Sequence, residues 1–280
     1  DRYREIAQAN EAALNDEIAW LKREGVQCVV SDVPPFPLRA AREAGVPGVA
    51  VANFTWHDIY AEYVQTDDDV ELLNQIETEY AMAARALISP LCTPYIDGQF
   101  PQVEHVPLIA RRGRNLRAAL TESLGLAPGT HLGLLYVGGW GLDINWAALG
   151  ALKDWVFLLD RALPISVANV RTFDQTEWRY ADVAASVEAV ISKPGYGTLT
   201  ECIANSVPLV YVPRQGFAEY AALVDGMTPW GGGVLLSDVD FFAGRWRNAL
   251  QTALDCRLNR DVYRTDGAAV VARILEGYLQ

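Results

Sequence analysis

Patterns typical of a buried strand and of a helix alternate along nearly the whole chain. Apolar runs that suit strands cover residues 26–31, 46–53, 132–137 and 189–192, and a helix pattern follows each of them. Because parallel strands are joined by crossover connections that usually contain a helix, this alternation favours parallel βαβ units. Ligands of such sheets bind at the carboxyl ends of the strands, so the turns after the strands hold the candidate site residues.

Length and turn signals predict two domains. The chain has 280 residues, which is long for one core and enough for two domains of about 100–150 residues each. The turn-forming stretch from Leu126 to Thr130 predicts a boundary between residues 1–129 and residues 130–280. We therefore expect an α/β protein with two Rossmann-like domains.

Charge and cysteine usage narrow the range of partners. The net charge is −12, from 23 basic and 35 acidic residues, and no basic patch stands out, so nucleic acid is not an expected partner. No apolar run approaches the roughly 20 residues of a membrane helix, so we expect no membrane span. The four cysteines and three histidines are widely scattered, which predicts reduced thiols, a cytoplasmic location and no metal site.

The stretch from Ile191 to Glu201, I-S-K-P-G-Y-G-T-L-T-E, is the strongest candidate for a ligand site. An apolar run ends there and a helix pattern begins after a turn. Gly195 and Gly197 can take positive φ and let a ligand approach bare backbone. Thr198 and Glu201 have the spacing of a capping box, and a helix N-terminus suits phosphate. The alternative is an ordinary strand-to-helix turn with a good cap.

Two further turns of the second half lie at predicted strand ends. Gly138 and Gly139 follow the strand at 132–137, and a later turn carries three polar side chains, Arg214, Gln215 and Glu219. Because such turns open on one edge of a parallel sheet, together they predict a pocket for a diphosphate with an attached sugar. The sequence fingerprints of P-loop kinases, nicotinamide enzymes and serine hydrolases do not occur, which disfavours those classes.

Polar and aromatic side chains also follow the strands of the first half, and they are Asp32, Asn53, Thr55, Trp56, His57 and Asp58. Three of them, Asp32, His57 and Asp58, are the candidates for a catalytic base. Their alternatives are ordinary structural roles, with Asp32 capping a helix and His57 solvated in a loop. The acidic triplet 67–69 is interpreted as a solvated helix start, because consecutive helical residues point apart and cannot converge on a metal.

One long segment resembles a known family. The sequence S-K-P-G-Y-G-T-L-T-E-C-I-A-N-S-V-P-L-V-Y-V-P-R, followed by F-A-E-Y, is similar to the donor half of GT-B glycosyltransferases. The nearest likeness is to the bacterial peptidoglycan N-acetylglucosaminyl transferase group and to the N-terminal region of L-arabinokinases. The stretches S-D-V-P-P-F-P-L-R-A-A and V-A-N-F-T-W resemble the acceptor half. The resemblance implies two Rossmann-like domains that face a cleft, a nucleotide-diphosphate sugar as donor, an unidentified acceptor, and neither metal nor other cofactor.

The resemblance also implies roles for individual residues. The donor phosphates would lie against Gly138, Gly139, Gly195, Tyr196, Gly197 and Thr198. Glu201 would bind the ribose hydroxyls, and the sugar would be bordered by Arg214, Gln215 and Glu219. Lys193 or Arg214 would stabilise the leaving phosphate.

One part of the family pattern is not matched. The family usually opens with a strand and a Gly/His-rich loop. We therefore expect residues 1–129 to form an incomplete acceptor-side domain, either because the chain is a fragment or because the domain is shortened, and residues 130–280 to form the donor-binding domain. Three functions stay open at this point. They are a glycosyltransferase, a non-catalytic nucleotide-sugar-binding or regulatory module of a larger sugar-metabolism protein, and a nucleotide-sugar epimerase.

Overall fold

The computed structural model describes residues 2–136, 143–163 and 166–279, and the chain divides into two units, each built on one parallel sheet. The first unit contains the residues up to Ile109, the segment Phe217–Ala222 and the residues from Asp266 onward. The second unit contains Ala110–Gly216 and Leu223–Thr265. The predicted parallel α/β architecture is confirmed in both units.

This division differs from the boundary expected at residues 129 and 130. The segment after Ile109 packs with the second unit because two of its arginines pair with carboxylates there. Arg114 Nη2 lies 2.9 Å from Asp182 Oδ2, and Arg117 Nη1 lies 2.5 Å from Glu188 Oε2. Ion pairs between residues so distant in sequence leave no signal in a local turn pattern.

The sheet of the first unit has four parallel strands in the order of the chain. They are β1 (Val29–Asp32), β2 (Gly48–Ala52), β3 (Arg85–Ile88) and β4 (Val103–His105). The helices are α1 (Arg2–Arg23), α2 (Phe36–Ala44), α3 (Trp56–Ala61), α4 (Asp67–Tyr80) and, at the end of the chain, α12 (Gly267–Glu276), with a 3-10 helix at Ile96–Gln99.

Capping interactions explain where one of these helices ends and where another begins. The helix α2 ends at Gly45, which has φ 78° and donates its N–H to the last turn, as a left-handed cap requires. The helix α4 begins after Thr66, whose side chain accepts from Asp69 N while the Asp69 carboxylate accepts from Thr66 N. The acidic triplet is thus a helix start, as the sequence indicates.

Both faces of the first sheet are covered. Along β2, Ala50 packs in one core cluster with Leu38 and Tyr80, while Val49 on the opposite face packs with Val271 of α12. A Cβ at Gly267 would lie 2.1 Å from Pro107 O, so only glycine permits this close approach. The C-terminal helix therefore belongs to the first unit.

Among the described residues, the sheet of the second unit has six parallel strands in the order β10-β9-β8-β5-β6-β7. They are β5 (His131–Tyr136), β6 (Trp155–Leu159), β7 (Val170–Thr172), β8 (Ala189–Ser192), β9 (Leu209–Tyr211) and β10 (Gly233–Leu235). The chain leaves β5 on one side through β6 and β7 and returns to its other side with β8. The strand order therefore reverses between β5 and β8, and this is the topological switch point of the sheet.

The other helices are α5 (Arg117–Ser123), α6 (Trp146–Leu149), α7 (Tyr180–Ala184), α8 (Tyr196–Asn205), α9 (Glu219–Trp230), α10 (Asp238–Phe242) and α11 (Arg247–Leu254). The core of the second unit is rich in aromatic rings. The ring of Trp246 contacts Phe157 edge-on at a centroid distance of 5.2 Å and stacks on Phe241 at 5.3 Å. Within the described ranges, no helix combines the length and apolarity that crossing a membrane would require.

Candidate functional site

A cavity of about 380 Å³, here called the switch-point cavity, lies where β5, β6 and β8 end. Tyr136 ends β5, Asp160 directly follows β6, and Gly195 follows β8. The residues that line the cavity are Arg111, Tyr136, Asp160, Gln175, Tyr180, Gly195, Tyr196, Gly197, Thr198 and Glu201. Ligands of open parallel sheets bind in this kind of crevice.

The helix α8 points its N-terminus at the switch-point cavity. Its N-cap is Gly195, with φ −134° and ψ 151°, and no side chain of the described residues caps it. A Cβ added at Gly195 or Gly197 would meet no atom within 4 Å. The two glycines therefore keep the space in front of the helix open, and the N–H groups of the first turn can face an anion there.

This geometry corrects two details expected from the sequence. Neither Gly195 nor Gly197 has positive φ. Thr198 is the third residue of α8 and not its cap, so the expected capping box with Glu201 does not form. The reason is that Tyr196 and Gly197 already have helical conformation, which starts the helix two residues earlier than its sequence pattern indicates.

Glu201 supplies a buried carboxylate to the cavity wall. Arg111 Nε donates to Glu201 Oε1 across 2.5 Å, and the Glu201 side chain is 4% exposed against 72% for Arg111. Burial raises the pKa of Glu201, and the nearby Arg111 guanidinium partly offsets this rise. A buried acid next to an exposed cation can accept hydrogen bonds from hydroxyl groups of a ligand.

Tyrosines form another part of the same wall. The Tyr180 hydroxyl is buried and has no hydrogen-bond partner among the described residues, while its ring contacts Tyr136 edge-on at a centroid distance of 5.3 Å. Burial raises the pKa of Tyr180, so its hydroxyl is protonated and can donate at neutral pH. Gln175 Nε2 donates to Asp160 Oδ2 across 3.2 Å at the same wall.

Three other residues predicted for the donor site, Lys193, Arg214 and Gln215, are not among the described residues that line the switch-point cavity. Burial, and then the positive charge of Arg214, lower the pKa of Lys193, while Asp238 acts in the opposite direction. Gly138 and Gly139, expected on the phosphate side, lie outside the described residues.

Glu219 was expected beside the sugar, but it belongs to the first unit. It is 3% exposed, and its Oε1 accepts from Asn53 Nδ2 across 2.5 Å. Asn53 directly follows β2, and the short segment Phe217–Ala222 packs with that unit. Glu219 is not among the described residues that line the switch-point cavity.

Two of the three candidates for a catalytic base border the same cavity. Asp32 is exposed at the end of β1, whereas His57 and Asp58 border a second cavity of about 530 Å³ in the first unit. Asp58 accepts hydrogen bonds from Thr93 and Gln99, and His57 Nδ1 lies 3.9 Å from Asp58 Oδ1. Among the described residues, no group of three or more His, Cys, Asp or Glu side chains could hold a metal ion.

Sequence reasoning missed five residues of the switch-point cavity, namely Arg111, Tyr136, Asp160, Gln175 and Tyr180. Two of them carried a usable signal, because Tyr136 and Asp160 stand at strand ends in the same way as Gly195. The others had none. Arg111 reaches Glu201 from 90 positions away in the sequence, and only the tertiary structure brings them together.

Sequence comparisons find relatives that are named as an L-arabinokinase and as glycosyltransferases. No protein-family model matches it. An L-arabinokinase of Arabidopsis thaliana is 30% identical over 265 residues, which cover 92% of this chain and 25% of the relative, so the chain spans about a quarter of that protein. An uncharacterized glycosyltransferase of Methanopyrus kandleri, MK0977, is 26% identical over 280 residues, covering 92% of this chain and 78% of the relative.

A shorter match reaches the peptidoglycan N-acetylglucosamine transferase of Clavibacter michiganensis, with 43% identity over 58 residues, 20% of this chain and 16% of the relative. Among solved structures, that of Phytolacca americana UGT2 complexed with UDP-2-fluoro-glucose and pterostilbene superposes with a TM-score of 0.62. The match covers 98% of this chain and 82% of that one at 14% identity. The chain has the GT-B fold. The resemblance of this GT-B chain to glycosyltransferases and to L-arabinokinase is thereby confirmed.

Proposed function

We propose that this GT-B chain is a glycosyltransferase that takes its sugar from a nucleotide-diphosphate sugar. The observation that carries the proposal is the switch-point cavity, which sets the uncapped N-terminus of α8 beside the buried carboxylate of Glu201. A diphosphate next to a ribose requires these two features, an anion site and a hydroxyl acceptor, at short range. The bound UDP-2-fluoro-glucose of the structurally similar UGT2 supports the same ligand class.

Each group in the cavity then has a role toward the donor. The N–H groups at the start of α8 bind the phosphates, and the open space at Gly195 and Gly197 admits them. Glu201 accepts from the ribose hydroxyls, and the buried hydroxyl of Tyr180 donates to an oxygen of the nucleotide.

Transfer breaks the bond between the sugar and the phosphate, and the negative charge that develops goes to the leaving nucleoside diphosphate. The helix N–H groups and a cationic side chain stabilise that charge without metal. Arg111 is the cation on the cavity wall. Lys193 and Arg214, expected in this role from the sequence, are alternatives in the same unit.

The acceptor must lose a proton during transfer, and His57 is the strongest of the three candidates for its base. Its Nδ1 is buried and has no hydrogen-bond partner in the described part of the chain. Both carboxylate oxygens of Asp58 already accept from neighbouring side chains, and Asp32 borders neither cavity. An imidazole nitrogen without a hydrogen-bond partner can act as a general base toward a hydroxyl group.

One observation favours a second function, a nucleotide-sugar-binding module without catalysis. The L-arabinokinase relative is four times as long as the segment that matches this chain, so in that protein the matching segment accompanies much additional chain. A GT-B segment could there bind a sugar nucleotide while another part of the protein acts on the sugar.

Isothermal titration with UDP-, GDP- and dTDP-glucose, followed by measurement of nucleoside diphosphate release, separates these possibilities. The informative variant is Glu201→Gln, and its matched control is Glu122→Gln, an exposed acid in the same unit. Binding that weakens only in Glu201→Gln, together with turnover, supports the transferase. Binding without turnover in the presence of sugar and alcohol acceptors supports the module, and absence of binding to all three nucleotides rejects both.

A further inference from the structure

The second cavity, here called the acidic cavity, lies wholly in the first unit and has a chemistry different from that of the switch-point cavity. It measures about 530 Å³, which is large enough for a monosaccharide or a somewhat larger compound. Side chains from α3, from α4 and from the segment 93–99 line it. Its polar atoms indicate what it can hold.

Gln99 contributes a buried hydrogen-bond acceptor. The side chain is 7% exposed, and its Nε2 donates to Asp58 Oδ1 across 2.6 Å. Because an ionised carboxylate can only accept, this contact fixes the orientation of the amide. The remaining atom, Gln99 Oε1, has no hydrogen-bond partner among the described residues. A buried carbonyl in this situation is unfavourable until a donor reaches it.

His57 adds a second polar atom at the same wall. Its Nδ1 is also buried without a partner in the described part of the chain, and 3.9 Å from Asp58 Oδ1 is too far for a hydrogen bond. Asp58 itself is occupied, since its other oxygen accepts from Thr93. A ligand in the cavity can therefore hydrogen-bond with Gln99 and His57 without displacing an existing contact.

The charges around the acidic cavity have one sign. Asp58, Glu62 and Glu77 all line it, and the two glutamates are exposed at its edge. None of the described lining residues is a lysine or an arginine. The ring of Tyr95, 80% exposed, offers an aromatic face that attracts cations and apolar sugar faces. A phosphate or carboxylate would be repelled here, whereas an ammonium group would be attracted.

We propose that the acidic cavity binds a small hydroxyl compound without phosphate or carboxylate, and that it prefers one with an ammonium group. A hydroxyl or ammonium group of this ligand donates to Gln99 Oε1, and Glu62 and Glu77 attract its positive charge. As a binding site this inference is independent of the donor cavity. If this ligand is the acceptor of a transfer reaction, the inference also rests on the proposed function.

Three probes of one ring size separate the charge classes, namely glucosamine, methyl glucoside and glucuronate. Binding is measured by titration with the whole chain at low and high salt. We expect glucosamine to bind about two- to fivefold more tightly than methyl glucoside, and glucuronate to bind more weakly than both. The differences should shrink at high salt because the glutamates are exposed.

Substitutions test which side chains cause the preference for glucosamine. In Glu62→Gln with Glu77→Gln, glucosamine and methyl glucoside should bind equally well, whereas the matched control Glu5→Gln with Glu17→Gln, two exposed acids of α1, should keep the preference. Tyr95→Ala, at an exposed position, should weaken the binding of all three probes without affecting folding. Gln99→Leu tests the buried acceptor, provided that its melting temperature shows it to be folded.

Three results overturn the inference. They are equal or tighter binding of glucuronate, an unchanged preference in the double glutamate variant, and no binding of any probe. UDP binding is measured in the same samples. If UDP fails to bind while glucosamine binds as described, the proposed function fails and the inference stands, and the opposite pattern rejects the inference alone.

Discussion

Arg111 Nε and Glu201 Oε1 are 2.5 Å apart, and this contact joins a mostly exposed guanidinium to a carboxylate that is almost fully buried. Burial raises the pKa of Glu201 and the arginine opposes the rise. Ionised Glu201 therefore disfavours folding, although the contact with Arg111 reduces this effect. A residue with this property on the wall of a cavity is more readily explained by binding than by stability.

Replacing Glu201 by glutamine should stabilise the protein while weakening nucleotide-sugar binding. A raised pKa means that the folded state favours the protonated acid, so stability falls as pH rises through the pKa of Glu201. The melting temperature of Glu201→Gln should thus match that of the unchanged protein below the ordinary glutamate pKa of about 4.3 and exceed it near neutrality. Affinity for the nucleotide sugar should fall about tenfold or more, since a charge-assisted hydrogen bond is lost.

Replacing Arg111 by methionine should have the opposite effect on stability. Without the guanidinium the pKa of Glu201 rises further, so the melting temperature should fall near neutral pH and approach that of the unchanged protein in acid. A melting curve at each of several pH values measures this. Equal melting temperatures of Glu201→Gln and Arg111→Met at neutral pH would contradict the proposed electrostatic coupling between Arg111 and Glu201.

A graded series at Gly197 should block binding without unfolding the chain. Gly197 is helical, and a Cβ there meets no atom within 4 Å, so Gly197→Ala should raise stability by up to about 1 kcal/mol through helix propensity. Gly197→Leu should also fold, but its side chain enters the switch-point cavity and should abolish binding of UDP-glucose. Titration and melting curves test the two effects separately. Full affinity in Gly197→Leu would place the donor elsewhere.

The buried pair of Asn53 and Glu219 should matter for stability and not for donor binding. Asn53→Leu removes the donor that lies 2.5 Å from Glu219 Oε1 and should cost about 1–3 kcal/mol of unfolding free energy. Glu219→Gln keeps an acceptor for Asn53 and should be close to neutral. Chemical denaturation measures both, and UDP-glucose affinity should be unchanged in the folded variants. A selective loss of affinity in Glu219→Gln would restore the role that the sequence suggested.

Asp182 should show the pH dependence opposite to that of Glu201. Arg114 lowers the pKa of Asp182, first through its side-chain hydrogen bond, so the pair stabilises the folded state above the ordinary aspartate pKa of about 3.9. This stability is lost as pH falls through the lowered pKa. Asp182→Asn should therefore reduce the melting temperature near neutral pH and have little effect in acid, whereas Asp225→Asn, at an exposed position in the same unit, should have little effect at any pH.

Much of the fold could be predicted from the sequence because its information is local. The strands β2, β5 and β8 lie where their apolar runs were expected. Helix and strand periodicity arise from hydrogen bonds within a segment or from the burial of one face, so each segment carries its own signal.

The sequence by itself determined the alternation of strands and helices, the parallel sheets that follow from it, and the turn before α8 as a place for a ligand. The tertiary structure alone decided that Arg111 faces Glu201, that Asn53 faces Glu219, and that α12 packs with the first unit. The physical reason is that the chain brings distant segments together. Glu201 reaches its place after β8 has returned beside β5, whereas Glu219 and α12 belong to late segments that pack with the first unit, and no local pattern of residues encodes these placements.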